Sequence, residues 1–405
     1  MHFGKVLLYF IFLQTIITSS FAQTREERNV FDNLSRSFEY KTIKLNIYNS
    51  NFLVDNEYKG LKVSGYTLPG FRLTPTVSYT PNKKIMIEGG VSILHYWGAN
   101  KYPCTVYSHL PDWESYQYMN GLHLIPYFRA IWLIDKDMLL SFGNVYNFNS
   151  HLLNEVLYNY ENTFNSDPEL GAQFIMDKKH FYMDLWLNWQ SFVFDGDIHQ
   201  ESFTIGCATE TRFHFANDKF SITFPLNVII QHLGGENLDI KHDVQSWLNA
   251  SVGLKTTYRF NPSASVSLGG ETIGYKNLSG NDLFPFDKGW GIYPYISFRY
   301  NELEIKTAYF ESEDFVSLLG SQHFCNFSSN TEDLLFDRNS QIYAKASYHL
   351  KIGNGYNLNL IFQLFRQNEL NGYRTGYGSV KRKGFTSFTL GVVFNINPSI
   401  KLKTI

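Results

Sequence analysis

Apolar and polar residues alternate in short segments along most of the chain, and this pattern limits the possible folds more than any other feature. Residues 71–79 (FRLTPTVSY) alternate in this way, and a turn at residues 81–83 leads into a second alternating segment, residues 84–97. A side-chain repeat of two is that of a β-strand, and two such segments joined by a tight turn predict a β-hairpin. Six further short turns join segments of the same kind, at residues 135–137, 177–180, 217–219, 261–263, 301–302 and 353–355. The chain is therefore predicted to be all-β.

Seven hairpins and one strand at each end give sixteen predicted strands, with fourteen as the alternative. Short turns alternate with longer polar connections, which resembles the porin-like architecture of Gram-negative outer-membrane β-barrels, with short periplasmic turns and longer outer loops. The resemblance implies a transmembrane antiparallel up-and-down β-barrel over residues 40–396. A soluble β-sandwich is the alternative, but sandwiches do not separate short from long connections so regularly. The predicted strands are residues 40–48, 71–79, 84–97, 121–134, 138–148, 169–176, 181–194, 202–216, 220–232, 246–260, 264–275, 290–300, 303–311, 341–350, 357–367 and 384–396.

The last predicted strand carries a second resemblance to these barrels. It has a polar residue, a glycine, an aromatic residue and an apolar residue at fixed offsets, as in their C-terminal insertion signal: Thr389, Gly391, Phe394 and Ile396. The resemblance implies that Phe394 and Ile396 face lipid, that the barrel-assembly machinery reads this strand, and that the strand closes the barrel against residues 40–48. Residues 397–405 continue past it. We predict a periplasmic C-terminal tail there, with an extension of the strand as the alternative.

The N-terminus has the features of a secretory signal peptide. Lys5 precedes an apolar run over residues 6–17, and Ser20 and Ala22 supply the small residues of a cleavage site. We predict a signal peptide over residues 1–22, cut near Ala22. Residues 23–39 are predicted to be a short periplasmic lead-in, and the mature chain is expected in the outer membrane.

One face of each predicted strand is nearly free of charge, as contact with lipid requires. The opposite faces carry charged and imidazole side chains that are expected to line a pore: Arg72, Glu88, His123, Arg129, Asp184, Glu210, Arg212, His214, Lys255, Arg259, Glu271, Arg299, Lys306, Lys345 and His349. Basic residues are in excess, which predicts a mild preference for anions. The alternative is that opposite charges, such as Glu210 and Arg212, pair across the wall and hold the shape of the barrel.

Two connections are of particular interest. Residues 149–168 resemble, by position only, the constriction loop of general porins, and are predicted to fold inward. His151 and Glu155 in this connection have helical spacing, but two ligands are too few to predict a metal site. Cys104 and Cys325 lie in predicted outer loops, where an oxidising setting favours a disulfide between them.

No G-x-S-x-G, H-E-x-x-H, P-loop or GxGxxG motif is present. A net charge of −2 argues against a strongly basic nucleic-acid binder. We therefore predict a channel for passive diffusion of small hydrophilic solutes, with no enzymatic activity and no cofactor.

Two alternatives to the channel stay open. The first is a barrel enzyme that acts on lipid A or phospholipid at the outer rim. Barrel hydrolases of that kind keep a Ser, a His and an acidic or amide residue near the rim, and here His95 and His199 have no assignable serine partner. The second is a non-conducting scaffold or partner subunit of a surface complex. Expected partners are outer-membrane lipid, the barrel-assembly machinery, small hydrophilic solutes and, as a further candidate, a surface lipoprotein.

Overall fold

Sixteen antiparallel strands close into one barrel in the computed structural model, which describes residues 38–97, 122–147, 150–191, 200–234, 244–280 and 283–405. The described residues form twenty strands in all, of which sixteen make the barrel: β1 (Thr42–Glu57), β2 (Tyr66–Asn82), β3 (Ile85–Tyr96), β4 (His123–Asp135), β5 (Met138–Asn144), β6 (Leu170–Lys178), β7 (Phe181–Ser191), β8 (Glu201–Phe215), β9 (Phe220–Gly234), β10 (Gln245–Asn261), β11 (Ala264–Asn277), β12 (Lys288–Tyr300), β13 (Leu303–Glu313), β14 (Leu334–Phe336), β15 (Asn339–Gly353), β16 (Tyr356–Gln367), β17 (Leu370–Arg374), β18 (Gly378–Arg382), β19 (Phe385–Ile396) and β20 (Ser399–Thr404). Strands β14, β17 and β18 form a separate small sheet, and β20 pairs only with β1. The predicted all-β barrel of sixteen strands is confirmed. No helix in the described ranges is long and apolar enough to cross a membrane.

Barrel closure differs from the prediction in its register. Strand β19 pairs with Asn49–Glu57 of β1, not with residues 40–48, and Thr42–Asn46 pair instead with β20. Part of the predicted tail, residues 397–405, is therefore a strand on the barrel wall. The polar run Asn49-Ser50-Asn51 hides the continuity of β1 in the sequence, and in the fold these side chains make hydrogen bonds along the wall, such as Ser50 Oγ to Asn395 Oδ1 at 2.6 Å.

Strand β19 shows how the two faces are used. Leu390 and Val392 point outward and are 50% and 41% exposed, whereas Ser387 and Thr389 are buried on the inner face. Phe394 and Ile396 continue the outward row, and Gly391 belongs to the inner face. The predicted facing of the strand is therefore observed, while its reading by the assembly machinery stays a prediction.

Two long connections fold into the barrel, and we call them together the inner plug: residues 150–166, which include the short helix α1 (Asn162–Asn165), and residues 314–338. The amide of Asn159 donates to the carbonyl of Leu319 at 2.9 Å, and the amide of Ser321 donates to the carbonyl of Glu155 at 3.3 Å. An apolar core crosses the lumen through the plug, with members that include Phe52, Leu94, Val156, Phe164, Phe315, Phe324, Phe310 and Tyr343. The first of these connections folds inward as predicted.

The plug is pinned to opposite arcs of the wall by buried charge. Glu155 pairs with Lys306 at 2.8 Å and with Lys345 at 3.4 Å. Burial alone would raise the pKa of Glu155, but the two ammonium groups hold it well below its ordinary value. On the other side, the His151 ring lies 2.8 Å from Asp184 and 3.1 Å from Glu169. Burial alone would lower the pKa of His151, but these carboxylates raise it to about 9. His151 and Glu155 thus bind opposite sides of the barrel wall and do not face one another.

Raising the pH from 5 to 7 is expected to loosen the plug through Glu161. Its carboxyl is buried, faces Tyr66, Asn56 and Asn165, and receives a hydrogen bond from the Tyr66 hydroxyl at 2.9 Å. Burial raises its pKa from 4.5 to about 7, so the docked plug holds a proton that the released plug loses. Protonated Glu161 therefore stabilises the docked plug fully below pH 4.5, and this stabilisation is lost as the pH rises through 7. Hydrogen exchange of plug amides, corrected for intrinsic rates, measures this effect.

In the variant Glu161→Gln, the stability of the docked plug should no longer depend on pH between 4.5 and 7. It should keep the part between 6.5 and 9 that comes from His151, because that group stabilises the docked plug only while it is protonated. Equal pH profiles for the two proteins below pH 7 would show that Glu161 does not control docking.

Candidate functional site

A cavity of about 2280 Å³ occupies the interior between the inner plug and the short turns. Turn residues such as Asn217, Asn261 and Gly355 line it, so it opens at the short-turn end of the barrel. The plug fills the lumen toward the long connections. The interior is therefore a vestibule with access from one end.

All fifteen residues predicted to line a pore are on the inner side of the wall. Glu88, His123 and Asp184 are buried in the wall or against the plug, where His123 contacts Asp167 at 2.9 Å. The others line the cavity: Arg72, Arg129, Glu210, Arg212, His214, Lys255, Arg259, Glu271, Arg299, Lys306, Lys345 and His349. The anion preference stays a prediction.

Several of the basic side chains in the cavity are neutralised by neighbours. Arg212 bridges Asp177 and Glu210, each at 2.8 Å, and Arg299 contacts Glu304 at 2.6 Å. The predicted pairing of Glu210 with Arg212 is thus present. Glu210 is on the same strand as Arg212, whereas Asp177 is on β6, two strands away, and Glu304 is on β13, next to the β12 strand of Arg299. The contacts to Asp177 and Glu304 therefore join different strands, so part of the inner charge holds the wall together.

A serine and a histidine form a hydrogen-bonded pair on the outward face, at the long-connection end of the barrel. Ser246 of β10 is directly opposite His232 of β9, and Ser246 Oγ lies 2.7 Å from His232 Nδ1. The adjacent residues Leu233 and Trp247 are buried on the inner face, which turns the pair toward lipid. Glu201 begins β8 on the same outward face, two residues before Phe203, which is directly opposite His232. We call Glu201, His232 and Ser246 the β8–β10 rim site.

Neighbouring groups fix both members of the pair. The Phe203 ring stacks on His232 with centroids 4.7 Å apart, and Trp189 stacks on Phe203 at 5.2 Å. The amide of Ser246 donates to Ser279 Oγ at 3.1 Å, which anchors the start of β10 to the connection after β11. A hydroxyl in contact with an imidazole, with a carboxylate nearby, is the arrangement that activates a nucleophile.

A second polar group of residues lies on the outward face of β1 to β3. Thr67 Oγ1 donates to Asp55 Oδ1 at 2.6 Å. His95 packs between Phe71 and Trp97, and its Nδ1 has no hydrogen-bond partner within the described ranges. Phe71 is opposite His95, so Thr67 stands four residues farther along, roughly 13 Å at strand spacing. This β1–β3 rim site therefore lacks direct contact between hydroxyl and imidazole.

Of the two cysteines in the predicted disulfide, only Cys325 lies within the described residues. Cys325 is a free thiol, buried in the inner plug rather than placed in an outer loop, and its Sγ accepts a hydrogen bond from the Ser317 amide at 3.4 Å. Burial raises its pKa to about 11. Cys104 lies outside the described residues, as does His199, so the disulfide is not tested directly, but the free, buried thiol of Cys325 gives it no support.

Sequence reasoning missed the Ser246–His232 pair because it follows no linear motif. The two residues are on neighbouring strands joined by a long connection, and only the strand register brings them together. The available signal was weaker: both occupy outward positions in strands whose outward positions are otherwise mostly apolar. A polar pair at such positions, close to the ends of adjacent strands, is the pattern that would have found them.

The barrel confirms the Gram-negative outer-membrane architecture, and the protein is located in the outer membrane. The predicted signal peptide, cleavage near Ala22 and most of the lead-in over residues 23–39 fall outside the described residues.

Solved barrels resemble the chain only distantly. OccAB1 of Acinetobacter baumannii is 10% identical, with 95% of this chain and 100% of that chain covered and a TM-score of 0.47. OprD of Pseudomonas aeruginosa is 8% identical, covering 88% and 94%, with a TM-score of 0.44. Outer-membrane-expressed OmpT of Vibrio cholerae is 10% identical, covering 87% and 97%, with a TM-score of 0.45. Likeness this low says nothing about activity, and no curated relative matches the chain.

A family model gives a far more specific result. The model described as lipid A 3'-O-deacylase-type matches residues 35–405, which include every barrel strand and the inner plug. A deacylase hydrolyses an ester, so this match contradicts the prediction that the chain has no enzymatic activity. It favours the alternative of an enzyme at the outer rim over the passive channel. The chain belongs to the lipid A 3'-O-deacylase-type family.

Proposed function

We propose that the protein hydrolyses an acyl ester of a lipid A-type glycolipid in the outer leaflet, at the β8–β10 rim site. The observation that carries this proposal is the 2.7 Å contact between Ser246 Oγ and His232 Nδ1 on the lipid-facing wall. Membership of a lipid A 3'-O-deacylase-type family supports the reaction class and the substrate class.

In the rim site, Ser246 acts as the nucleophile, His232 as the general base and acid, and Glu201 as the stabilising carboxylate. With the imidazole proton on Nε2, His232 Nδ1 takes the proton of Ser246 as Oγ attacks the ester carbonyl carbon. The imidazolium then protonates the departing sugar hydroxyl oxygen, which leaves an acyl group on Ser246. Water, deprotonated by the same imidazole, releases the fatty acid and restores the serine. Glu201 stabilises the imidazolium in both steps.

The position of the site suits an ester at a membrane surface. The outward wall beneath it, toward the short turns, is apolar, with Ile205, Leu226 and Val252 exposed to lipid. Acyl chains can lie against these side chains while the ester carbonyl stays near the rim. The position of the site therefore suits a substrate that is itself part of the leaflet.

The passive channel has less support. The inner plug crosses the lumen, and the vestibule beneath it opens toward the short turns. A non-conducting scaffold would agree with the plug but would not require a hydrogen-bonded nucleophile and base on the outer wall. Neither alternative accounts for the family match.

Incubation of the purified full-length protein with 3'-O-acylated lipid A in mixed micelles tests the proposal. We expect time-dependent release of fatty acid and loss of one O-linked chain from the lipid, followed by mass spectrometry. A parallel incubation uses phospholipid micelles. Release from phospholipid alone would overturn the substrate class, and no release from either lipid by folded barrel would overturn the proposed function.

A further inference from the structure

Two lysines stand directly opposite one another on the lipid-facing wall, beside the β8–β10 rim site. Lys276 of β11 and Lys288 of β12 are cross-strand partners, and both are exposed. Neither side chain makes an ion pair or hydrogen bond with another residue in the part of the chain that the structure describes. The nearest carboxylates along the ladder, Asp287 and Glu313, do not pair with them. Among the described residues, the two positive charges therefore have no counter-ion.

Like charges directly opposite on neighbouring strands destabilise a sheet. Their cost is greater at a membrane boundary, where water screens them less. A phosphate monoester removes this repulsion, because it carries up to two negative charges and offers three acceptor oxygens. A phosphodiester carries one negative charge and would neutralise only half of the pair. The arrangement therefore fits a phosphate monoester best.

The distance from the pair to the rim site suits one lipid headgroup. Lys276 is opposite Leu248, which lies two residues along β10 from Ser246. One strand across and two residues along is roughly 8 Å between Cα atoms. Long lysine side chains also extend from an apolar wall toward the polar headgroup layer. A phosphate on a sugar headgroup can thus contact both lysines while an acyl ester of the same headgroup reaches Ser246.

We propose that Lys276 and Lys288 form a phosphate-binding subsite, which holds the phosphate monoester of a phosphorylated glycolipid and so positions its ester at Ser246. This inference rests on the proposed function and adds to it the residues that select a phosphorylated headgroup. It also gives these two exposed lysines a role on a wall that is otherwise mostly apolar.

The double variant Lys276→Gln/Lys288→Gln tests the subsite with phosphorylated lipid A and with its dephosphorylated form. We expect KM for the phosphorylated lipid to rise about ten- to hundredfold, the range for losing charge-assisted hydrogen bonds. The kcat for this lipid, and both constants for the dephosphorylated form, should change little. Lys383→Gln, an exposed lysine between β18 and β19, is the matched control and should behave as wild type.

A binding measurement separates failure of the subsite from failure of the proposed function. Phosphorylated lipid is titrated against Ser246→Ala with and without the two lysine changes, with inorganic phosphate as competitor. Weaker binding in the lysine variant supports the subsite even if wild type hydrolyses no ester. Equal binding, or equal KM in an active enzyme, overturns it. Full competition by millimolar inorganic phosphate would overturn the assignment to a lipid headgroup.

Discussion

Replacing Ser246 by alanine is expected to lower kcat for ester hydrolysis by roughly 10³-fold or more, since loss of a nucleophile removes the covalent step altogether. His232→Ala should lower kcat by about 10² to 10⁴-fold, the usual contribution of a general base. KM should change little in both, because neither side chain is assigned to headgroup binding. Fatty-acid release at saturating lipid measures the effect, and the shift of the folded barrel on unheated gels shows that each variant is folded.

Thr209→Ala is the matched control for the loss of a hydroxyl. Thr209 is also on the outward face, but its hydroxyl donates to the carbonyl of Leu226 at 2.9 Å and has no imidazole partner. It should retain the wild-type rate. Thr67→Ala and His95→Ala test the β1–β3 rim site in the same assay. If these two lose hydrolysis while Ser246→Ala keeps it, the reaction belongs to that site and the assignment to Ser246 is wrong.

The barrel itself could be predicted because, in each strand, apolar residues that face lipid alternate with polar residues that face the lumen. The seven short turns follow from local residues such as Asn261, Pro262 and Ser263, and the structure has turns at those positions. The errors arose where local pattern is ambiguous. In β1, the run Asn49 to Asn51 interrupts the apolar row, so the strand reads as ending early, although the ladder continues through it.

The second segment of the inner plug also had a readable signal. Phe315, Val316, Leu319 and Phe324 are large apolar residues in what reads as an outer connection, and all are buried in the fold. Exposing so many apolar side chains to water in a solvated loop is unfavourable, and inward packing removes them from water. Acidic neighbours such as Glu313 and Asp314 obscured this signal, because they favour an exposed loop.

The rim site could not be predicted in the same way. Strand register decides whether Ser246 meets His232 or a neighbouring residue, and a shift by one residue would turn either side chain to the lumen. That register is set by hydrogen bonds between β9 and β10, which are separated in the sequence by a connection of ten residues, 235–244. Local alternation gives the face of each residue, but not its partner on the next strand.

Exchange of residues 153–165 for a short Gly-Ser linker is expected to convert a closed barrel into a conducting one. The replaced residues include Val156, Leu157 and Phe164, which connect the two walls through the apolar core. Sixteen strands enclose an aqueous channel when nothing fills the lumen. Wild-type protein in a planar bilayer should give no steps, whereas the variant should give large ones. Removal of Glu155 also leaves Lys306 and Lys345 without their carboxylate, so the opened pore should prefer anions under a salt gradient.

The same exchange at residues 374–378, the exposed tip between β17 and β18, is the matched control and should stay closed, because this tip does not cross the lumen. Glu155→Gln separates charge from packing. It leaves two ammonium groups facing a neutral amide, so it should weaken plug docking by up to about 3–5 kcal/mol, the cost of breaking a buried ion pair. The apolar core should still keep the lumen closed. Steady conductance from wild-type protein would show that the plug is no barrier, and cation preference in the linker variant would contradict the role given to Lys306 and Lys345.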